Sequence, residues 1–165
     1  MPNEGTAYHE AGHMVAAWEL GLYVTGATIV PDPEMGYLGR MEVPFEDRVR
    51  YAMFVDEEGY MFAHLVGLFA GMAAGERHAG VEARELDAAL GFFDGDYRAA
   101  AGHILSLAGD DEEEQKATED HAQKYAQRLI HRRWERVETV AAALMERKTL
   151  DEGECRQVLE DAFGS

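Results

Sequence analysis

Residues 61–74, MFAHLVGLFAGMAA, constrain the fold of this chain more than any other stretch. Fourteen residues pass without a formal charge, and His64 is the only strongly polar side chain among them. A bilayer span needs about 18 or more apolar residues, so this run is too short to cross a membrane and reads as a buried helix. Gly67 and Gly71 within it and Gly75 just after it recur at every fourth position. On a helix that spacing lines one face with hydrogens and lets another backbone come close. With 165 residues, 47% of them apolar and 28% charged, the chain is long enough to enclose such a helix in one core. No internal repeat or low-complexity linker divides it, so residues 1–165 are expected to form a single domain, mainly α.

The flanking sequence supplies the partners. Residues 7–20 lack proline, are rich in alanine and suit a helix stopped by Gly21. Over 24–43 the segments VTGATIVP and GYLGRMEVP, separated by PDPEMG, predict a β hairpin or part of a small sheet. Asp56 is placed to cap the apolar helix, which then runs to about residue 77. Residues 79–95 read as loop mixed with a short helix. A further helix is expected from about 94–96 to Gly109. The acidic run DDEEE, 110–114, favours a helix start through the dipole and otherwise solvates the surface. It leads into a long helical pattern in which Ala122, Tyr125, Leu129, Val137, Val140, Ala141 and Leu144 share one face. Asp151 and Glu154 have capping-box spacing before a last short helix carrying Val158, Leu159 and Phe163.

Charge narrows the list of partners. Fifteen basic residues stand against 32 acidic ones, a formal net charge of −17. Such a surface repels phosphate backbones and anionic headgroups, which argues against nucleic acid as a partner. The single cysteine, Cys155, permits no internal disulfide and has no nearby base to activate it. With no signal-peptide pattern and no membrane span in view, a cytoplasmic location is expected.

The chemistry concentrates in HEAGH, residues 9–13. Residues four apart on a helix lie one above the other, so His9 and His13 can offer imidazole nitrogens to one ion. Glu10 stands beside the pair, where a carboxylate can take a proton from a water held by that ion. Ala11 and Gly12, being small, would leave room for a groove facing the metal. Zinc accepts such ligands, and a third protein ligand is required. In metalloproteases of the extended type it would be a histidine six residues after His13. That position is Glu19, so the third ligand must come from farther along the chain. His103 could serve as a partner to the ligands or substitute for one, although a lone histidine on an apolar face is more often a core residue. His64 is a weaker candidate to donate a hydrogen bond to a reacting carbonyl. His78, His121 and His131 have no partner in view and read as surface.

Taken in order, AYHEAGHMVAAWELG, VTGATIVPDPEMGYLGRMEVP, AGMAAGERHAG, DYRAAAGHIL and TLDEGECRQVL resemble the peptidase domain of the FtsH family of ATP-dependent zinc proteases over nearly the whole chain. HEAGH matches that family's zinc motif in full. The resemblance implies a third zinc ligand from an aspartate that opens a later helix and is followed four residues on by alanine. Asp96 with Ala100 fits this pattern; Asp94 and Asp87 fit it less well. It therefore implies Zn2+ held by His9, His13 and Asp96, with Glu10 as general base. The sequence departs from the family in two respects. It contains no G-x-x-x-x-G-K-[ST] phosphate loop, so no ATP is expected to be used, and Met72 and Gly75 stand where the family often has arginine and glutamate. The expected activity is that of an ATP-independent zinc metalloendopeptidase acting on peptides or unfolded polypeptide segments. Ring-forming members of the family imply a homo-oligomer. The competing expectation is an inactive, metal-holding peptide-binding or regulatory module related to the same proteases.

Overall fold

The structure, a computed structural model, describes residues 4–34, 39–42, 57–80 and 94–164. Among these residues the chain forms six helices and three short strands. Their order is α1 (Glu4–Glu19), β1 (Gly26–Thr28), β2 (Arg40–Glu42), α2 (Glu57–Ala79), α3 (Asp94–Ala108), α4 (Glu112–Arg132), α5 (Trp134–Arg147), β3 (Thr149–Leu150) and α6 (Glu152–Phe163). The architecture is mainly α with a small antiparallel sheet, as the sequence led us to expect. Asp56, most of the 79–95 connection, residues 35–36 of the expected turn and residues 37–38 and 43–44 of the expected second strand segment lie outside the described residues.

Helix α1 occupies the centre. From Thr6 to Trp18 every side chain except Tyr8 is buried, which is the behaviour of a helix without a solvent face. It packs chiefly against α2 and α5, with a smaller contact to α4. Its last turn closes in a Schellman arrangement: the Leu22 N–H donates to the Ala17 carbonyl at 2.8 Å, and the N–H of Gly21, at φ +84°, donates to the Trp18 carbonyl at 3.1 Å. Helix α2 contains the 61–74 run, and Leu65, Val66, Phe69 and Ala70 are buried in it. The glycine face was expected to admit another backbone, but a Cβ at Gly67 would meet no described atom and one at Gly71 would meet the His13 ring; the close approach of the two helices is made instead by Gly12 of α1. A Cβ on Gly12 would stand 2.5 Å from the Ala70 carbonyl oxygen and 2.6 Å from the Ala74 Cβ. The expected groove at Ala11 and Gly12 is therefore corrected. Both residues are buried against other parts of the core, because α1 and α2 touch where a groove would need to open.

The sheet has the order β2-β1-β3, antiparallel throughout. Ala27 stands opposite Met41 on one side and Leu150 on the other. The β1–β2 pair is the expected hairpin; β3 is an addition from the far end of the chain. Thr28 and Thr149 join their hydroxyls across the β1–β3 pair at 2.8 Å, and the Ile29 N–H donates to the Lys148 carbonyl at 2.9 Å.

Beyond α3, the structure corrects the long helical pattern. It is two helices, separated at Arg133, whose backbone sits at φ −109°, ψ 21°. Helix α4 packs mainly on α2 and α5 mainly on α1, so one continuous rod could not present its apolar face to both. The Arg133 guanidinium donates to Glu19 at 2.7 Å and ties this break to the end of α1. Asp111 caps α4 by accepting from the backbone N–H groups of Glu113 and Glu114, as its acidic surroundings suggested. The capping box at α6 is complete: the Asp151 side chain accepts from the Glu154 N–H at 2.8 Å, and the Glu154 side chain accepts from the Asp151 N–H at 3.1 Å. Among the described residues no helix is long and apolar enough to cross a membrane.

Candidate metal centre

His9 and His13 point from α1 toward the first turn of α3, where Asp96 meets them. His9 Nε2 lies 2.8 Å from Asp96 Oδ2, His13 Nε2 lies 3.1 Å from the same oxygen, and the two Nε2 atoms are 3.0 Å apart. The rings stand edge to face, with centroids at 4.6 Å, so both nitrogens turn to one point. Both histidines are 4% exposed, and Asp96 is the more open member. Residues from helices nearly ninety positions apart in sequence thus form one group of three donors able to hold a metal ion.

The donor set fits a tetrahedral divalent ion. With metal–ligand bonds of about 2.0–2.1 Å, tetrahedral donors stand about 3.3 Å apart, so this triangle needs to open by only a few tenths of an ångström. The tautomer of His13 is also suited. Its Nδ1 lies 2.7 Å from the Gly67 carbonyl oxygen, which can only accept, so Nδ1 carries the proton and donates. In the neutral ring that leaves the Nε2 lone pair directed at the cluster, the arrangement found where a metal-ligating histidine is oriented by a backbone carbonyl. Gly71, one turn along α2, makes room for the ring: a Cβ there would lie 2.3 Å from His13 Cε1 and 2.4 Å from Nε2.

The electrostatics of the metal-free protein show what the ion would replace. Burial alone would lower the His13 pKa, but the charge and hydrogen bond of Asp96, with help from Glu10 and the Gly67 carbonyl, outweigh it and raise it to about 9. A proton on His13 therefore occupies the centre of the cluster. Burial would push the Asp96 carboxyl up, yet the charge of His13 and hydrogen bonds from both histidines hold it well below the usual carboxylate range. His9 is held below its ordinary value by burial and by the charge of His13.

Glu10 is buried to the same degree as its neighbours. Its Oε2 has no hydrogen-bond partner among the described residues. Burial, with the negative charge of Asp96, raises its pKa to about 8 against the opposing pull of His13. A carboxylate so placed is a strong proton acceptor with an oxygen still to satisfy.

The other candidates do not join the cluster. His103, two turns beyond Asp96, stacks on His64 with ring centroids at 6.0 Å, and His64 also meets Tyr60 at 4.5 Å. Asp87 and the side chain of Asp94 lie outside the described residues. Three histidines expected to be without partners have them. His78 stacks on Tyr8 at 3.9 Å, His131 Nδ1 accepts from Arg77 Nη1 at 2.7 Å, and His121 lies against Phe62 with centroids at 4.9 Å. These contacts join separate elements of the fold, so spacing along the chain carries no sign of them. The role of Gly67 and Gly71 in seating His13 was likewise hidden, although their four-residue spacing pointed to a close neighbour. Cys155 is buried, with its thiol 3.8 Å from the Leu150 carbonyl, in keeping with the inert role expected of it.

Compared with protein-family models and with curated proteins, the chain matches neither.

Proposed function

We propose that the chain is a zinc-dependent endopeptidase, similar in fold and mechanism to the peptidase domain of the FtsH family but acting independently of ATP. The observation that carries this reading is the convergence of His9 Nε2, His13 Nε2 and Asp96 Oδ2 within 3.1 Å of one another, beside the buried carboxylate of Glu10. His9, His13 and Asp96 would hold the ion, and the Gly67 carbonyl would keep His13 in the tautomer that ligates. When bound, the metal supplies Lewis acidity, polarising a scissile carbonyl and acidifying water.

The rest of the chemistry belongs to the chain. Glu10, a buried carboxylate with an oxygen still to satisfy, would accept a proton and return it to the leaving amine. A structural zinc site would give that carboxylate no task. Strand β2 has β1 on one side and no strand partner on the other among the described residues, which suits it to pair with an extended peptide. Backbone pairing of that kind accepts many sequences. The substrates are therefore peptides or flexible polypeptide segments, since the sequence has no phosphate loop with which to drive unfolding.

Replacing Glu10 with glutamine tests the assignment. Glu10→Gln is expected to retain one metal per chain by elemental analysis while cleavage of unfolded casein falls by about 10²–10⁴-fold. Equal cleavage by the variant and the unaltered protein would remove Glu10 from the mechanism. Cleavage that survives a strong chelator would remove the metal.

A further inference from the structure

Glu10 has a neighbour from outside the helix bundle. Gly39, immediately before β2, lies against α1 on the Glu10 side. A Cβ built on Gly39 would stand 2.5 Å from the Thr6 Cγ2 methyl and 3.1 Å from both the Cγ and the Oε1 of Glu10. The first distance is closer than real Cβ atoms come to any neighbour, and the other two are tighter than nearly all real contacts. The backbone angle does not explain this glycine, because its φ is not among the positive ones. Space does. Thr6 is 3% exposed, β-branched and on a helix, so its methyl has little freedom to move aside. Glu10 is the longer and more adaptable side chain, so it would be the one to yield.

We propose that Gly39 is a positioning residue for Glu10: its bare α-carbon is the wall that seats the carboxylate beside the His9, His13 and Asp96 cluster. This rests on the peptidase reading for its functional meaning, but the seating itself is a property of the folded chain. Strand β2 and the Glu10 carboxylate are thereby held next to each other. A side chain at 39 would move the carboxylate while leaving the three metal donors in place, since none of them is among the atoms nearest the added Cβ. The contacts at 3.1 Å ask Glu10 to give by a few tenths of an ångström; with a misplacement of about 1 Å at a reacting group costing on the order of 10²-fold, the rate should fall by about 3–10-fold.

Two variants and one measurement on the unaltered protein test this. Gly39→Ala places the methyl; Thr6→Ser with Gly39→Ala removes the Cγ2 contact and keeps the strain on Glu10. In both, zinc affinity measured by competition with a chromogenic chelator is expected to stay within about threefold. The Glu10 carboxyl carbon resonance, identified by its disappearance in Glu10→Gln, is expected to shift at constant pH. With casein as substrate, kcat is expected to fall by about 3–10-fold with KM within about twofold. In the unaltered protein a strong nuclear Overhauser effect is expected between the Gly39 α-protons and the Glu10 γ-protons. Absence of that effect overturns the proposal even if neither variant folds. An unmoved Glu10 resonance, or zinc affinity lost in parallel with activity, also overturns it. If the resonance moves and no version of the chain cleaves any peptide, the seating stands and the peptidase reading falls.

Discussion

Gly71→Ala is the sharpest perturbation of the metal centre, because one methyl can be compared with an identical methyl one turn away. At position 71 the added carbon would lie 2.3 Å from His13 Cε1, 2.4 Å from Nε2 and 2.7 Å from Nδ1. Ordinary carbon contacts begin near 3.5 Å, so the ring must retreat by about 1 Å. It has no easy direction in which to do so, with His9 and Asp96 at its Nε2 and the Gly67 carbonyl at its Nδ1. Metal–ligand distances tolerate only about 0.2 Å, and disturbing a single hydrogen bond to a ligand already costs about 10–100-fold in affinity. A displaced ligand should therefore cost at least a hundredfold, about 2.8 kcal/mol at 1.4 kcal/mol per decade. Overpacking adds about 1–3 kcal/mol of lost stability in the metal-free protein. At position 67 the same methyl would meet no described atom within 4 Å, and the carbonyl that receives the His13 proton is kept. Gly67→Ala should leave affinity unchanged, with roughly 1 kcal/mol gained from helix propensity. Chelator competition at fixed pH, with thermal melts in the presence and absence of zinc, reads both quantities. Equal zinc affinity in the two variants would refute the claim that Gly71 is what makes room for His13.

Two further outcomes follow from titration. Because His13 is raised to about 9 without metal, an ion entering the cluster must expel a proton below that pH. Zinc affinity should therefore rise about tenfold per pH unit from pH 6 to 8 and level off above about 9; competition titrations that give a flat profile would show that no proton sits there. His64 is lowered to about 4, by burial first and then by the charge of His103. A group depressed in this way contributes stability that is fully present above its unfolded value near 6.5 and is lost as pH falls toward 4, roughly 2–3 kcal/mol in all. Urea midpoints at pH 7 and 4.5 should therefore converge in His64→Gln relative to the unaltered protein, and an undiminished gap would assign the acid loss elsewhere.

Local signals in the sequence reached as far as local physics does. His9 and His13 were legible because a helix fixes the relation between positions four apart. The capping box at Asp151 was legible because both its bonds span three residues. Asp96 was not legible from spacing, since the 13–96 separation crosses three described elements of the fold, β1, β2 and α2; it came from resemblance, and the structure brings it to the histidines. The break at Arg133 carries neither glycine nor proline and arises from the two helices on which α4 and α5 must each pack. Strand β3 is two residues long, too short for any alternation to register. The seat at Gly71 could be suspected from the glycine spacing as a place of close approach, whereas nothing in the sequence singled out Gly39; only the folded chain identifies the side chains they admit.

Strand β1 takes its second neighbour from residues 149–150, more than a hundred positions downstream. A ribosome must therefore have released the chain through residue 150 before that three-stranded unit can zip together. The motif helix can coil early, whereas the platform bordering it must wait for a segment made more than a hundred residues later.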